Sequence, residues 1–138
     1  MDKQPLAKYT LALLLAISVL PASAKECLPS MKEGWVRLPP STMPMMAGFG
    51  RITNPCSSPM VIVSASSPAF GEVSLHETRN VDGVNRMREL DQLRIAPDGD
   101  AILKPGGMHL MLMQPRAPLK EGSKVVVSFK LQAGREIL

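Results

Sequence analysis

The stretch ETRNVDGVNRMREL, Glu77–Leu90, decides how the chain folds. Asp82-Gly83 is a strong signal for a two-residue β-hairpin, because both central positions of the favoured turn need positive φ. If those two residues form the turn, Thr78 lies opposite Met87 and His76 lies opposite Glu89. Just upstream, GEVSLHET (Gly71–Thr78) alternates with a period of two. Val73 and Leu75 belong to the core, which sends Ser74, His76 and Thr78 outward. His76 and Met87 therefore sit diagonally on one outward face, within reach of a shared ligand.

Working outward from this hairpin, the rest of the chain reads as short strands between Gly/Pro turns, with no amphipathic helix. Strands are expected over Trp35–Leu38, Ala47–Thr53, Met60–Ala65, Glu72–Thr78, Val84–Leu90, Gln92–Ile95, Ala101–Lys104, Met108–Gln114 and Lys124–Leu131. A short last one follows Gly134. The breakers LPPSTMP, NPCSSP, VDGV, APDGD, KPGG and APLKEG fall between them. Many short strands at this spacing indicate an all-β sandwich or barrel. In SKVVVSFKL, Val125, Val127, Phe129 and Leu131 point to the core, while Val126, Ser128 and Lys130 point away.

The segment GGMHLMLMQP, Gly106–Pro115, carries an unusual second face. Met108, Leu110 and Leu112 make an ordinary apolar face, whereas His109, Met111 and Met113 occupy the side where a half-buried strand normally places polar residues. Residues two apart project from the same face about 6.5–7 Å apart. Flexible methionine side chains can close that gap, so His109 and Met111 can bind one ion. Taken singly, Met87 and His76 also read as a packing methionine and a solvated histidine. Beside His109-Leu110-Met111, they read as parts of a metal site.

The ligand types select the metal. Thioethers are soft and neutral and imidazole is borderline, a set suited to Cu(I), with Ag(I) as a mimic. Zn, Ca and Mg call for more anionic or oxygen ligands. With no thiolate, only the histidines must shed protons.

The spacing His76, ten residues, Met87, twenty-one residues, His109-Leu110-Met111 resembles the motif of the periplasmic copper(I) chaperones called PCuAC proteins. WVR at Trp35–Arg37, SLHET at Ser74–Thr78, KPGGMHLMLM at Lys104–Met113 and PLKEG at Pro118–Gly122 look similar as well. The resemblance spans nearly the whole chain after residue 24. It implies a cupredoxin-like Greek-key β-sandwich or barrel and a Cu(I) site of His76, Met87, His109 and Met111. It also implies delivery of copper to the dinuclear copper site of cytochrome c oxidase, sometimes with an accessory copper chaperone. Where many members of that family carry a second methionine beside the first histidine, this chain has Glu77.

The N-terminal stretch has Lys3 and Lys8, an apolar run from Leu11 to Leu20, and Ala22-Ser23-Ala24 as a small-x-small cleavage pattern. This is a secretory signal peptide over residues 1–24. A membrane anchor is the alternative, but that run falls well short of the roughly 20 residues of a span. Residues 25–138 are then one copper-binding β domain in the periplasm, expected to be a monomer with no stable membrane insertion. Cys27 follows Lys25-Glu26 rather than small residues, which argues against a lipoprotein.

Cys27 and Cys56 are the chain's two cysteines. In an exported protein an even count favours a disulfide over metal ligation. Closing a loop of about 30 residues stabilises by roughly 3 kcal/mol on the chain-entropy model. The formal charge of +4 comes from scattered basic residues with few aromatics between them. Nucleic acid is therefore not an expected partner.

Met43, Met45 and Met46 read either as a soft-metal or docking patch or, more simply, as partly buried loop and strand-start residues. Trp35 and Arg37 share a face and read as packing plus a local ion pair or hydrogen bond. An enzyme is not expected, since no acid, base and nucleophile converge. An electron-transfer copper protein would need a thiolate beside two histidines, and neither cysteine lies in the right strand. A periplasmic copper buffer and a metal-free docking module remain as alternatives to the chaperone.

Overall fold

The computed structural model describes residues 27–40 and 43–138. The signal peptide expected over residues 1–24 lies outside the described residues. Among the described residues, ten strands form one sheet: β1 (Ser30–Arg37), β2 (Met45–Asn54), β3 (Met60–Ser66), β4 (Phe70–Val81), β5 (Val84–Glu89), β6 (Leu93–Ile95), β7 (Gly99–Leu103), β8 (Met108–Pro115), β9 (Ser128–Leu131) and β10 (Glu136–Ile137). Among the described residues there is no helix. The sheet curls into a nearly closed barrel.

Strand order is β1-β2-β7-β8-β4-β3-β9-β10, with β5 added to β4 and β6 to β3. The crossovers place β8 between β2 and β4, although it lies far from both in sequence. β2 divides its pairing, using Met45–Gly48 against β8 and Gly50–Asn54 against β7. Gly50 marks the switch. A Cβ there would meet the Met31 methyl at 2.5 Å, and its φ of +153° disfavours a side chain.

The alternating apolar positions converge as read from the sequence. Ile52, Ile62, Phe70, Leu112 and Phe129 are buried in a single cluster. Each such large side chain contributes roughly 1.5–3 kcal/mol by leaving water. Asn54 is buried among them and fully used: its amide donates toward the carbonyls of Ser58, Ile95 and Ala96, and its Oδ1 accepts from the Cys56 amide. Those bonds tie the β2–β3 loop to the end of β6 and hold the loop where Cys27 is bonded to Cys56. The disulfide thus anchors the segment before β1 to the loop after β2.

Two expectations change. β1 begins at Ser30 rather than Trp35, because Met31 and Lys32 pair with Ile52 and Arg51 before a bulge at Glu33-Gly34. Glu33 takes a φ of 55° there, and the Lys-Glu-Gly sequence resembles a turn. Lys124–Val127 has the expected facing but no ladder. β3 ends at Ser66, opposite Ser128, so the chain ahead of β9 has no strand to pair with.

Candidate metal centre

The hairpin turn forms at Asp82-Gly83, with φ values of 52° and 81°. Positive φ at both central positions is the primed-turn geometry that the twist of the flanking strands favours. The resulting register places Thr78 opposite Met87 and His76 opposite Glu89. On the other side of β4, antiparallel β8 sets His76 opposite His109, Ser74 opposite Met111 and Glu72 opposite Met113. Beyond β8, β2 sets Ala47 opposite Met111 and Met45 opposite Met113. Strand parity therefore puts His76, Met87, His109 and Met111 on one face of three adjacent strands, β5, β4 and β8.

His109 is 7% exposed, beneath a Met87 that is 56% exposed. Its Nδ1 lies 3.0 Å from the Gly107 carbonyl oxygen. A carbonyl only accepts, so Nδ1 carries the proton and donates. In the neutral ring, Nε2 is then left with its lone pair, and it faces the Met87 sulfur at 3.2 Å. Two soft lone pairs at that separation have no hydrogen between them. Both atoms keep a lone pair with which they could serve as donors.

His76 is half-buried and stacks against His109, with ring centroids 5.9 Å apart and planes 25° apart. Its Nε2 is 2.9 Å from the Ser74 hydroxyl, while its Nδ1 is buried without a hydrogen-bond partner. An orphaned buried polar atom costs about 1–3 kcal/mol. Burial holds the imidazole below the usual histidine range, against the upward pull of Glu89, with a downward push from His109 and a smaller upward pull from Glu72. Met111 stands between Ser74 and Ala47 in the neighbouring row, half-buried. The structure thus puts Met87 directly against His109, His76 in ring contact with His109, and Met111 beside them.

An apolar wall closes the β2 side. Phe49 is 3% exposed, outside the central cluster, with its ring 6.5 Å from that of His109. Trp35 covers it at 4.6 Å. The Arg37 guanidinium lies 5.3 Å from the Phe49 ring and 5.8 Å from that of Trp35. Arg37 thus acts here through cation–π contact, where an ion pair or hydrogen bond was expected. Sequence reasoning left Phe49 out of the site, because its place beside His109 follows only from the non-local β2–β8 pairing.

Glu77 faces the other way. Its carboxylate accepts from Arg79 at 2.8 Å and from Arg88 at 3.1 Å, and these bonds hold it below the usual carboxylate range. Met108 also faces away and packs on the core. Of the methionines at the start of β2 and just ahead of it, Met46 is a core residue, while Met43 and Met45 are exposed. Among the described residues no cluster of three His, Cys, Asp or Glu side chains could hold a metal. A metal centre on this face therefore depends on thioethers.

A cupredoxin-like sheet with a His/Met face on its β4–β8 pair has the fold of the PCuAC domains. The chain superposes on the apo PCuAC domain of PmoF1 with a TM-score of 0.64 and 17% identity, covering 80% of this chain and 89% of that one. It superposes on apo-DR1885 from Deinococcus radiodurans with a TM-score of 0.61 and 25% identity, over 98% and 91% of the two chains. That protein has also been solved in a Cu(I) form, which matches with a TM-score of 0.60 at 24% identity over 83% and 80%. Residues 30–138 match the LpqE-like family, described as "Putative lipoprotein LpqE-like", and the chain belongs to that family. A relative from Leifsonia xyli subsp. xyli, named "Putative lipoprotein Lxx21020", is 35% identical over 105 residues, 75% of this chain. The match spans 62% of that relative's length. In the present chain the Cys27 sulfur is bonded to Cys56.

Proposed function

We propose that this protein is an exported Cu(I) carrier that holds one ion with His76, Met87, His109 and Met111 and passes it to a partner protein. The observation that carries the reading is the pairing of the His109 Nε2 lone pair with the Met87 sulfur at 3.2 Å. The orphaned Nδ1 of His76 supplies a further unused donor on the same face. Soft, neutral ligands match Cu(I), and the Cu(I) form of DR1885 and the copper-bound PCuAC domain of PmoF2 share this fold. The lipoprotein names of the relatives and the signal-like residues 1–24 support export to the periplasm.

The arrangement suits hand-over. His109 is anchored on the central β8, while Met87 lies on β5, whose six residues are all exposed and which pairs only with β4. An incoming ligand can displace the exposed thioether first while the histidine still holds the ion. Weak individual thioether bonds allow exchange one ligand at a time. The acceptor we favour is the copper site of cytochrome c oxidase, directly or through an accessory chaperone.

Cells lacking the protein should lose oxidase activity at limiting copper and regain it when copper is added. Normal oxidase activity at low copper, with growth failing only at high copper, would replace delivery by buffering.

A further inference from the structure

Two rows along β8 from His109, with Met111 in the row between, β2 and β8 put two more thioethers side by side. Met45 and Met113 are cross-strand partners, so their Cβ atoms stand about 4.5–5.5 Å apart. Parity puts them on the face of Met111, whereas Met46 turns into the core. Met45 is 39% exposed and Met113 half-buried. Opposite Met111 stands Ala47, whose single methyl leaves room for three flexible thioethers to lean together. On the far side of Met113, β4 contributes Glu72, an exposed carboxylate whose charge attracts cations. A solvated strand face would carry polar residues at these positions.

We propose that Met45 and Met113, sharing Met111, form a second soft-metal position that holds Cu(I) in transit to or from the His109–Met87 pair. The proposal rests on the copper reading of that main site. Thioethers are neutral, so the ion enters as Cu(I), leaves as Cu(I), and releases no proton. Met111 is the common ligand: as it swings between rows, one sulfur bond is kept while the others are exchanged. His109 and Met113 are four residues apart on β8, about 13–14 Å, and Met111 stands midway, about 6.5–7 Å from each, a gap its flexible side chain can bridge in either direction.

Ag(I) titration followed by native mass spectrometry and by NMR of methyl-labelled methionines tests this. The wild type should bind two equivalents, the second more weakly. Met45→Leu combined with Met113→Leu should lose the second equivalent, keep the first, and slow Cu(I) release to a chelator several-fold. Met46→Leu, on the core side, should keep both. His109→Ala should still bind one equivalent, with methyl shifts at Met45 and Met113. A wild type that binds one equivalent with those two methyl signals unmoved overturns the second position and leaves the main site standing. Unchanged release from the double variant overturns the transit role. Binding of a single ion at Met45 and Met113 that His109→Ala leaves untouched overturns the main-site reading and transit together.

Discussion

The Nε2 of His109 and the sulfur of Met87 lie 3.2 Å apart although their strands do not pair. β4 runs between β8 and β5, and Met87 reaches across it. The contact exists because the turn at Asp82-Gly83 fixes the register of β5, and the β4–β8 ladder independently fixes the position of His109. Neither ladder alone would join the two residues.

Met111→Leu keeps size and apolarity but removes a sulfur, so the fold should survive while Cu(I) affinity falls by about tenfold or more, on the order of 1.4 kcal/mol. His109→Ala should lose at least as much. Met108→Leu, whose side chain packs on the core, should leave affinity unchanged. Competition against a Cu(I) chelator measures all three. Equal losses in Met108→Leu and Met111→Leu would contradict the parity on which the site depends.

The hydroxyl of Ser74 holds the Nε2 of His76 and so orients the ring that presents Nδ1. Ser74→Ala should therefore weaken Cu(I) binding about 10–100-fold, the usual effect of losing a partner that orients a ligand. The same titration, with circular dichroism as a check on folding, measures it.

Much of this was legible in the sequence, because the signals were local. The Asp82-Gly83 turn fixed the positions facing His76 and Met87, and alternation in MHLMLM separated Met108 from Met111. What escaped depends on pairing between distant segments. The Trp35–Phe49–Arg37 wall needs β1 to re-register after its bulge at Glu33-Gly34, and β2 to lie beside β8. No periodicity in either segment encodes that. Lys124–Val127 has strand alternation, yet a strand also requires a neighbour, and β3 ends too soon to supply one.

Free-thiol labelling of exported protein without reductant should find no reactive cysteine, since Cys27 and Cys56 are bonded. Replacing both by serine should lower stability by roughly 3 kcal/mol, measured by chemical denaturation. Copper binding should be retained, because the bond ties the β2–β3 loop and not the His/Met face. Two labelled thiols per exported chain would contradict the pairing.

Apo-protein stability should fall with acidification through the histidine range. Burial lowers the pKa of His76 in the folded state, so the unfolded chain binds that proton first as pH drops below about 6.5. Stability from this group is fully present above that value and is lost as pH falls toward the folded pKa. Glu89 on β5 and Glu72 on β4 soften the loss, and His109 on β8 adds to it. Denaturation curves between pH 7.5 and 5 should therefore show a smaller decline in His76→Gln than in wild type.

The central claim is that His109 and Met87 converge on one Cu(I) ion. X-ray absorption at the copper edge, on protein loaded with one equivalent of Cu(I), tests it most directly. The account predicts a mixed shell of nitrogen and sulfur scatterers in wild type, with Met87→Leu losing sulfur and His109→Ala losing nitrogen. A shell of oxygen and nitrogen alone, or one that neither substitution alters, would contradict it.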